Sequence, residues 1–240
     1  MPRTCVILQP SYVPWRGVFD QIRRADVFVH YDEAQYDKHG WRNRNRIKGA
    51  NGSFWITIPV KLPRGHGKTT LHDARISYEQ KWREKHWAAI HGSYSSAPHF
   101  ADLVQWLRPH YKTQAERLVD FTIPLQEACA HALGFTDTEF LRSSSLDISG
   151  ERTERLVEIC RVVGAEHYIS GPSARAYLDR SAFERAGIEV EFIDYNYEPY
   201  AQLHGEFDPQ VSIIDALAML SEGAVATLDT LGTTDRSIDN

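Results

Sequence analysis

Cysteine is scarce and scattered: Cys5, Cys129 and Cys160 are the three in 240 residues, with no CxxC pair and no Cys/His ligand spacing. That argues against a disulfide scaffold and a structural zinc site, and fits free thiols in a reducing compartment. Long apolar runs are missing as well. No stretch approaches the roughly 18–20 apolar residues that cross a bilayer. The N-terminal MPRTCVILQPSY holds too short an apolar run for the core of a signal peptide, so no membrane span and a cytoplasmic location are expected. There is no internal repeat, no low-complexity tract, no HExxH and no GxSxG. Arg64-Gly65-His66-Gly67-Lys68-Thr69 falls short of a phosphate loop because Leu62 stands where the first glycine belongs, leaving a flexible basic loop or lid. His86 and His91 miss the i, i+4 spacing of a helical ligand pair, and no metal site is expected. Negative charge is absent from one segment. Between Lys38 and His72 there are eight lysines and arginines and no carboxylate, on a chain of net charge −5. A basic island on an acidic protein points to a local anion site.

What is present reads as a globular α/β chain. The 42% hydrophobic and 25% charged fractions are ordinary for a folded protein, and disorder or collagen is excluded. Thr4–Leu8 and Asp26–Tyr31 are apolar, β-type runs separated by a helical segment at Pro14–Ile22, which together predict a βαβ unit with parallel strands. Ser53–Val60 is a third strand after an Asn51-Gly52 turn. Tyr78, Trp82, His86, Ile90 and Tyr94 form an i, i+4 stripe, and residues 100–107 and 111–133 continue the helical pattern, with Pro124 set to kink or divide the latter. Ser143–Ser145 reads as a loop. The last third alternates: a helix over Glu151–Val163 closed by Gly164, a strand at His167–Gly171, a helix over Ala174–Ala186, a strand at Ile188–Asp194 and a short helix at Val211–Leu220. The expected fold is α/β, a mainly parallel sheet of Rossmann-like βαβ units with a helical insertion near residues 75–145. It forms one domain over residues 1–225, followed by a polar tail over 226–240.

In such sheets ligands bind at the carboxyl ends of strands, here Gln9–Tyr12, Asp32–Gln35 and Ser170-Gly171. The densest candidate is Trp41-Arg42-Asn43-Arg44-Asn45-Arg46-Ile47-Lys48, whose guanidinium forks suit phosphate or carboxylate and whose amides suit a sugar or base edge. If extended, the run puts Arg42, Arg44 and Arg46 on one face and Asn43, Asn45 and Ile47 on the other. Between the first strand and its helix, Gln9 and Tyr12 are placed to orient a polar substrate and Trp15 to stack on a ring, with helix-start N–H groups available to an anion. Asp32 is a strand-end carboxylate suited to a base or metal ligand. The late loop Tyr195–His204 offers tyrosines, Gln202 and a neutral-pKa imidazole, His204.

The strings ILQPSYVPWRGVFDQIRRADVFVHYDEAQYDKHGWRNRNRIK, GSFWITIPVK, KHWAAI, ICRVVGAEHYISGP, YAQL and EFDPQVSIIDAL resemble the WbqC-like proteins over nearly the whole chain. QPxYxPWxG and WRNRNxIK are the specific ones. The resemblance implies a bacterial family found partly in O-antigen and related surface-glycan clusters, one that includes a proposed glycine (aminoacyl) transferase. Its matching segments emphasise Gln9, Tyr12, Trp15, Asp32, Gln35, Asn43, Arg44, Asn45, Lys48, Ser170, Gly171 and Gln202. The fold is also similar to nucleotidylyltransferase-type α/β proteins, without the HxGH-like pair those carry at the first helix.

Three functions follow. The first is a transferase moving an acyl or aminoacyl (for example glycyl) group to an amine or hydroxyl of a small or nucleotide-linked acceptor, in glycan or secondary-metabolite biosynthesis. Arg42, Arg44, Arg46 and Lys48 would hold phosphate. Gln9, Tyr12, Asn43 and Asn45 would orient the substrate, and Asp32 or His204 would take the proton. Acyl transfer requires no cofactor, and an aminoacyl-tRNA donor would also meet the basic segment. The second is nucleotidyl transfer with Mg²⁺ at Asp32. The third is a nucleotide or glycan-precursor binding protein without turnover.

Overall fold

Short, nearly continuous apolar runs make strands that are covered on both faces, and these runs form the central sheet. The computed structural model describes residues 2–229. Along the chain run β1 (Thr4–Leu8), α1 (Arg16–Arg23), β2 (Val27–His30), β3 (Arg44–Gly49), β4 (Gly52–Thr57), β5 (Val60–Lys61), β6 (Arg75–Ile76), α2 (Trp82–Tyr94), α3 (Phe100–His110), α4 (Val119–Ala132), β7 (Glu139–Arg142), α5 (Arg152–Val162), β8 (His167–Ser170), α6 (Arg180–Arg185), β9 (Glu189–Phe192) and α7 (Ile213–Leu220). A five-stranded sheet has the order β7-β2-β1-β8-β9, every pair parallel. Cys5 to Leu8 lie opposite Val27 to His30, and Cys5 lies opposite Tyr168 on the other side.

Alternation along β1 divides two cores. Val6, with Phe28 and Ile169, faces α1, α7 and the helices of residues 82–132, where Phe19, Ile22, Leu125 and Ile214 are buried. Cys5 and Ile7, with Val27 and Val29, face α5 and α6, where Ile159, Cys160 and Phe183 are buried. Helices therefore cover both faces, and the order of strands reverses between β1 and β8. All three cysteines are buried free thiols.

The expected stripe on α2 is the buried one: Trp82, His86, Ile90 and Tyr94 face inward. Four local expectations are corrected. The Arg/Asn run is itself strand β3, paired antiparallel with β4 in a separate hairpin, so Ser53–Val60 adds nothing to the main sheet. The helix expected over 111–133 begins only at Val119, residues 111–118 being turn and loop, and Pro124 lies inside α4. The helix expected over Ala174–Ala186 is a 3-10 turn at Pro172–Ala176 and then the short α6, which Asp179 caps by accepting from the Ser181 N–H. Residues 226–228, expected to begin a polar tail, belong to the 3-10 segment Ser221–Leu228, with Leu228 buried; the remainder of that tail beyond Asp229 lies outside the described residues. Among the described residues no helix is long and apolar enough to cross a membrane.

Candidate functional site

In a doubly wound sheet the connections leave β1 and β8 in opposite directions, which opens a crevice beyond their carboxyl ends. Here that crevice is a cleft of about 820 Å³, its floor formed by Leu8, Gln9, Ser170 and Gly171 and its walls by Gln21, Arg42 and Tyr195. Two further hollows adjoin it. A bay of about 340 Å³ shares Leu8, Gln21, Arg42 and Tyr195 with the cleft and adds Trp15, Trp41 and Asn45. A second bay, about 550 Å³, shares Tyr31 and Arg152 and adds Glu33, His72, Asp73 and Ser144 beyond β2 and β7.

Two arginines, Arg42 and Arg152, line the cleft, and Arg42 also lines the aromatic bay. Arg42 precedes β3 and turns under the end of β1, where its Nη1 donates to Ser11 Oγ (2.7 Å) and to the Gln9 carbonyl (3.3 Å). Its Nε is buried without a hydrogen-bond partner, and Asp37 Oδ1, on a half-exposed side chain, lies 3.8 Å away. Burial pushes the Arg42 pKa down, against the pull of Asp37. A guanidinium held mainly by neutral oxygens is under-compensated and favours an anion. Gln21 is 2% exposed; its Nε2 donates to the Tyr195 hydroxyl (2.6 Å), while Oε1 has no partner. Gly171 lets that same hydroxyl approach closely: a Cβ there would sit 3.1 Å from it, a tight contact.

The loop from β1 to α1 is held rigidly. Val13 has φ 38°, a left-handed conformation that costs a β-branched residue about 1–3 kcal/mol. Asn45 Nδ2 offsets the strain by donating to the carbonyls of Tyr12 (3.2 Å) and Val13 (2.7 Å). Trp15 folds over the first turn of α1, its Cζ2 within 2.4 Å of where a Gly17 Cβ would lie. The indole therefore occupies the space beside the helix start that was expected to receive an anion.

Of the residues singled out in the sequence, Gln9, Trp15, Arg42, Asn45, Ser170 and Gly171 line the cleft or its aromatic bay. The others lie elsewhere. Tyr12 is fully buried, its hydroxyl bonded to His86 Nδ1 (2.9 Å) and Tyr111 Oη (2.5 Å). Asn43 donates to the Ile58 carbonyl. Arg44 stacks over Trp55 at 4.3 Å and bonds the carbonyls of His39 and Gly40. Arg46 pairs with Asp208 at 2.6 Å. Lys48 is buried and donates to Gln202 Oε1 (2.8 Å) and the Glu206 carbonyl, which fastens the 202–208 loop to the hairpin. Gln35 is exposed and bridges to Thr70. The three arginines share a strand-like run but diverge, because β3 begins only at Arg44.

Asp32 and His204 are not brought together. His204 Nε2 donates to the Ser93 carbonyl (3.0 Å) on α2. Asp32 is buried and receives Ser143 Oγ (3.0 Å), the Ser144 N–H (3.0 Å), Ser144 Oγ (2.7 Å) and His72 Nδ1 (3.3 Å). Burial alone would raise this carboxyl; the bonds from Ser144, Ser143 and His72 prevail and hold it below its usual range. Arg117 donates to His72 Nε2 (2.7 Å), so both ring nitrogens of His72 are engaged. Four donors on one carboxylate leave no lone pair for a cation, so Asp32 does not fit a Mg²⁺ site. Among the described residues no cluster of His, Cys, Asp and Glu could hold a metal ion. Gln21 was missed as a site residue, and Tyr195 was offered only as one of the tyrosines of the 195–204 loop. The signal for Gln21 was a polar side chain between Phe19 and Ile22 on the buried face of α1.

Fold and geometry together define a doubly wound α/β protein with a cationic cleft at the reversal of strand order. The chain belongs to the WbqC-like protein family, which it matches over residues 9–227. It is 41% identical over 213 residues to the uncharacterized protein Rv1507c of Mycobacterium tuberculosis, covering 88% of this chain and 91% of that one. No solved structure matches it at a significant level.

Proposed function

We propose that the protein is a group-transfer enzyme that holds a phosphate-bearing, nucleotide-linked substrate in the cleft between β1 and β8, and that it transfers an acyl or aminoacyl group to an amine or hydroxyl. The observation that carries the reading is Arg42, a half-buried guanidinium hydrogen-bonded to neutral oxygens and compensated only by Asp37 at 3.8 Å, at the point where this fold class places its ligands. Arg42 takes the phosphate. Gln9 and Ser170 orient the group next to it. The neighbouring bay, which adjoins through Tyr31 and Arg152, receives the acceptor; its Glu33 and Asp73 are paired with Arg155 (2.5 Å) and Arg64 (3.5 Å). The new bond forms between the acceptor's nitrogen or oxygen and the acyl carbon as the bond to the nucleotide-linked leaving group breaks, and the proton released passes to that leaving group. In this reading Asp32 is a positioning residue that orders His72 and the Ser143–Ser145 turn, and His204 takes no part.

The second reading, a binding protein without turnover, is favoured by one observation: among the described residues no carboxylate, imidazole or thiol lines the cleft itself. Thermal-shift binding tests the shared premise, using nucleotides, nucleotide sugars, acyl-CoA and charged tRNA at low and high salt. A phosphate-bearing ligand raises the melting temperature of wild type and of Arg44→Ala, but not of Arg42→Ala. A ligand lost equally in Arg44→Ala moves the site to the hairpin, and no shift with any ligand refutes the reading. Turnover of the bound ligand with an amine then separates enzyme from binding protein.

A further inference from the structure

The bay beside Arg42 differs in chemistry from the cleft it joins. Its walls are Leu8, Pro14, Trp15, Val18, Trp41 and Tyr195, and its volume of about 340 Å³ lies within the range of small-molecule pockets. Trp15 stands edge-on to Tyr195, with ring centroids 5.0 Å apart, and is held there by the glycine at position 17. Trp41 closes the outer side, 40% exposed, with its ring 5.0 Å from Trp55, which is itself 44% exposed. Trp55 lies outside the bay and carries the Arg44 guanidinium on its ring, so Trp41 is the exposed indole that the bay itself presents. Polar groups are few: Ser11, Asn45, Gln210 and Gln21. Asn45 is already engaged through both ends of its amide, but Gln21, 2% exposed, keeps an unpartnered Oε1. Aromatic walls with one or two amide groups suit a flat ring with a hydrogen-bonding edge; a pyranose ringed by hydroxyls would find too few partners. Gln21 and Arg42 belong to both hollows, so one molecule that fills the bay also reaches the guanidinium.

We propose that this bay is the ring subsite of the substrate and takes a nucleobase, so that the ligand is a nucleoside diphosphate or a derivative of one. Its base lies between Trp15 and Trp41, its phosphates on Arg42, and the transferred portion beyond them in the cleft beside Ser170 and Gly171. The inference rests on the reading of Arg42 as the phosphate anchor and adds the class of molecule that the anchor serves.

Titration calorimetry with inorganic pyrophosphate, glucose 1-phosphate and the ADP, GDP, UDP and CDP series tests it, on wild type, Trp41→Leu and Arg42→Ala. At least one nucleoside diphosphate binds wild type about tenfold or more tighter than pyrophosphate, the scale of one base stacked on an aromatic ring. Trp41→Leu brings that ligand down to the pyrophosphate level and leaves pyrophosphate itself unchanged, which also shows that the variant is folded. Arg42→Ala weakens both. Pyrophosphate binding as tightly as every nucleotide, or a Trp41→Leu variant that keeps the preference, overturns the ring subsite while the anchor stands. Glucose 1-phosphate matching the best nucleotide assigns the bay to a sugar and overturns it too. No binding by any probe removes the anchor along with the subsite.

Discussion

Tyr12, in the loop after β1, and Arg42, in the segment before β3, lie on two loops joined by the Tyr12 N–H to Trp41 carbonyl bond, yet their polar groups meet opposite surroundings. The Tyr12 hydroxyl enters a knot with His86 and Tyr111 in which each named group serves another, at 2.9 and 2.5 Å; Trp82 Nε1, at the edge of the knot, is the exception. Nearby, in the cleft, Gln21 Oε1 has no hydrogen-bond partner, and Arg42 Nε has none either, only Asp37 Oδ1 at 3.8 Å. Both regions cost desolvation, and the knot recovers it internally. The cleft leaves the recovery to something from outside. Residue type therefore says little about function here; whether a buried polar group has its partner inside the chain says more.

The largest effect that sharpens this contrast is on stability against pH. Burial lowers the His86 imidazole to about 4, against a hydrogen bond to the Thr57 backbone. The unfolded chain takes up that proton near 6.5, so the contribution is complete above that pH and is lost as pH falls towards 4. Denaturant unfolding should show a loss of about 3 kcal/mol across that window, and His86→Gln should flatten the slope. The next largest belongs to the cleft. Arg42→Ala should weaken a phosphate ligand by about 2 kcal/mol, the worth of a hydrogen bond to a charged group, with a smaller change in unfolding free energy. An unaltered dissociation constant would remove the contrast.

Tyr12→Phe should cost about 1–2 kcal/mol of stability, by leaving Tyr111 Oη and His86 Nδ1 short of a partner, and should leave ligand affinity unchanged. A Tyr12→Phe variant that folds normally and fails to bind would return Tyr12 to the substrate. Arg44→Ala is the smallest change. Its guanidinium rests on the exposed Trp55 ring, and about 0.5 kcal/mol of stability is at stake, with no effect in the cleft.

The sheet was largely legible because buried parallel strands announce themselves as apolar runs: β1, β2, β8 and β9 fall where the sequence placed them. The α2 stripe was legible for the same reason, through its period of four. β7, Glu139–Arg142, was not, being a short edge strand with charges at both ends. β3 was hidden by its polar composition, since Arg44, Asn45 and Arg46 read as binding chemistry before they read as a strand. The site was legible in place and not in detail. Strand ends pointed to Gln9, Ser170 and Gly171, but nothing local revealed that Ser143 and Ser144, more than 100 residues away, would occupy Asp32. Nor could periodicity separate Arg42 from Arg44 and Arg46, because the divergence depends on where the hairpin starts.

A crystal structure of the protein with a bound nucleoside diphosphate decides between the cleft and the hairpin. Phosphate density is expected within hydrogen-bonding reach of the Arg42 guanidinium, between Gln9 and the Ser170-Gly171 turn, with the knot around Tyr12 unmoved. Phosphate density on the Arg44–Arg46 face of the hairpin, with none at Arg42, overturns the assignment.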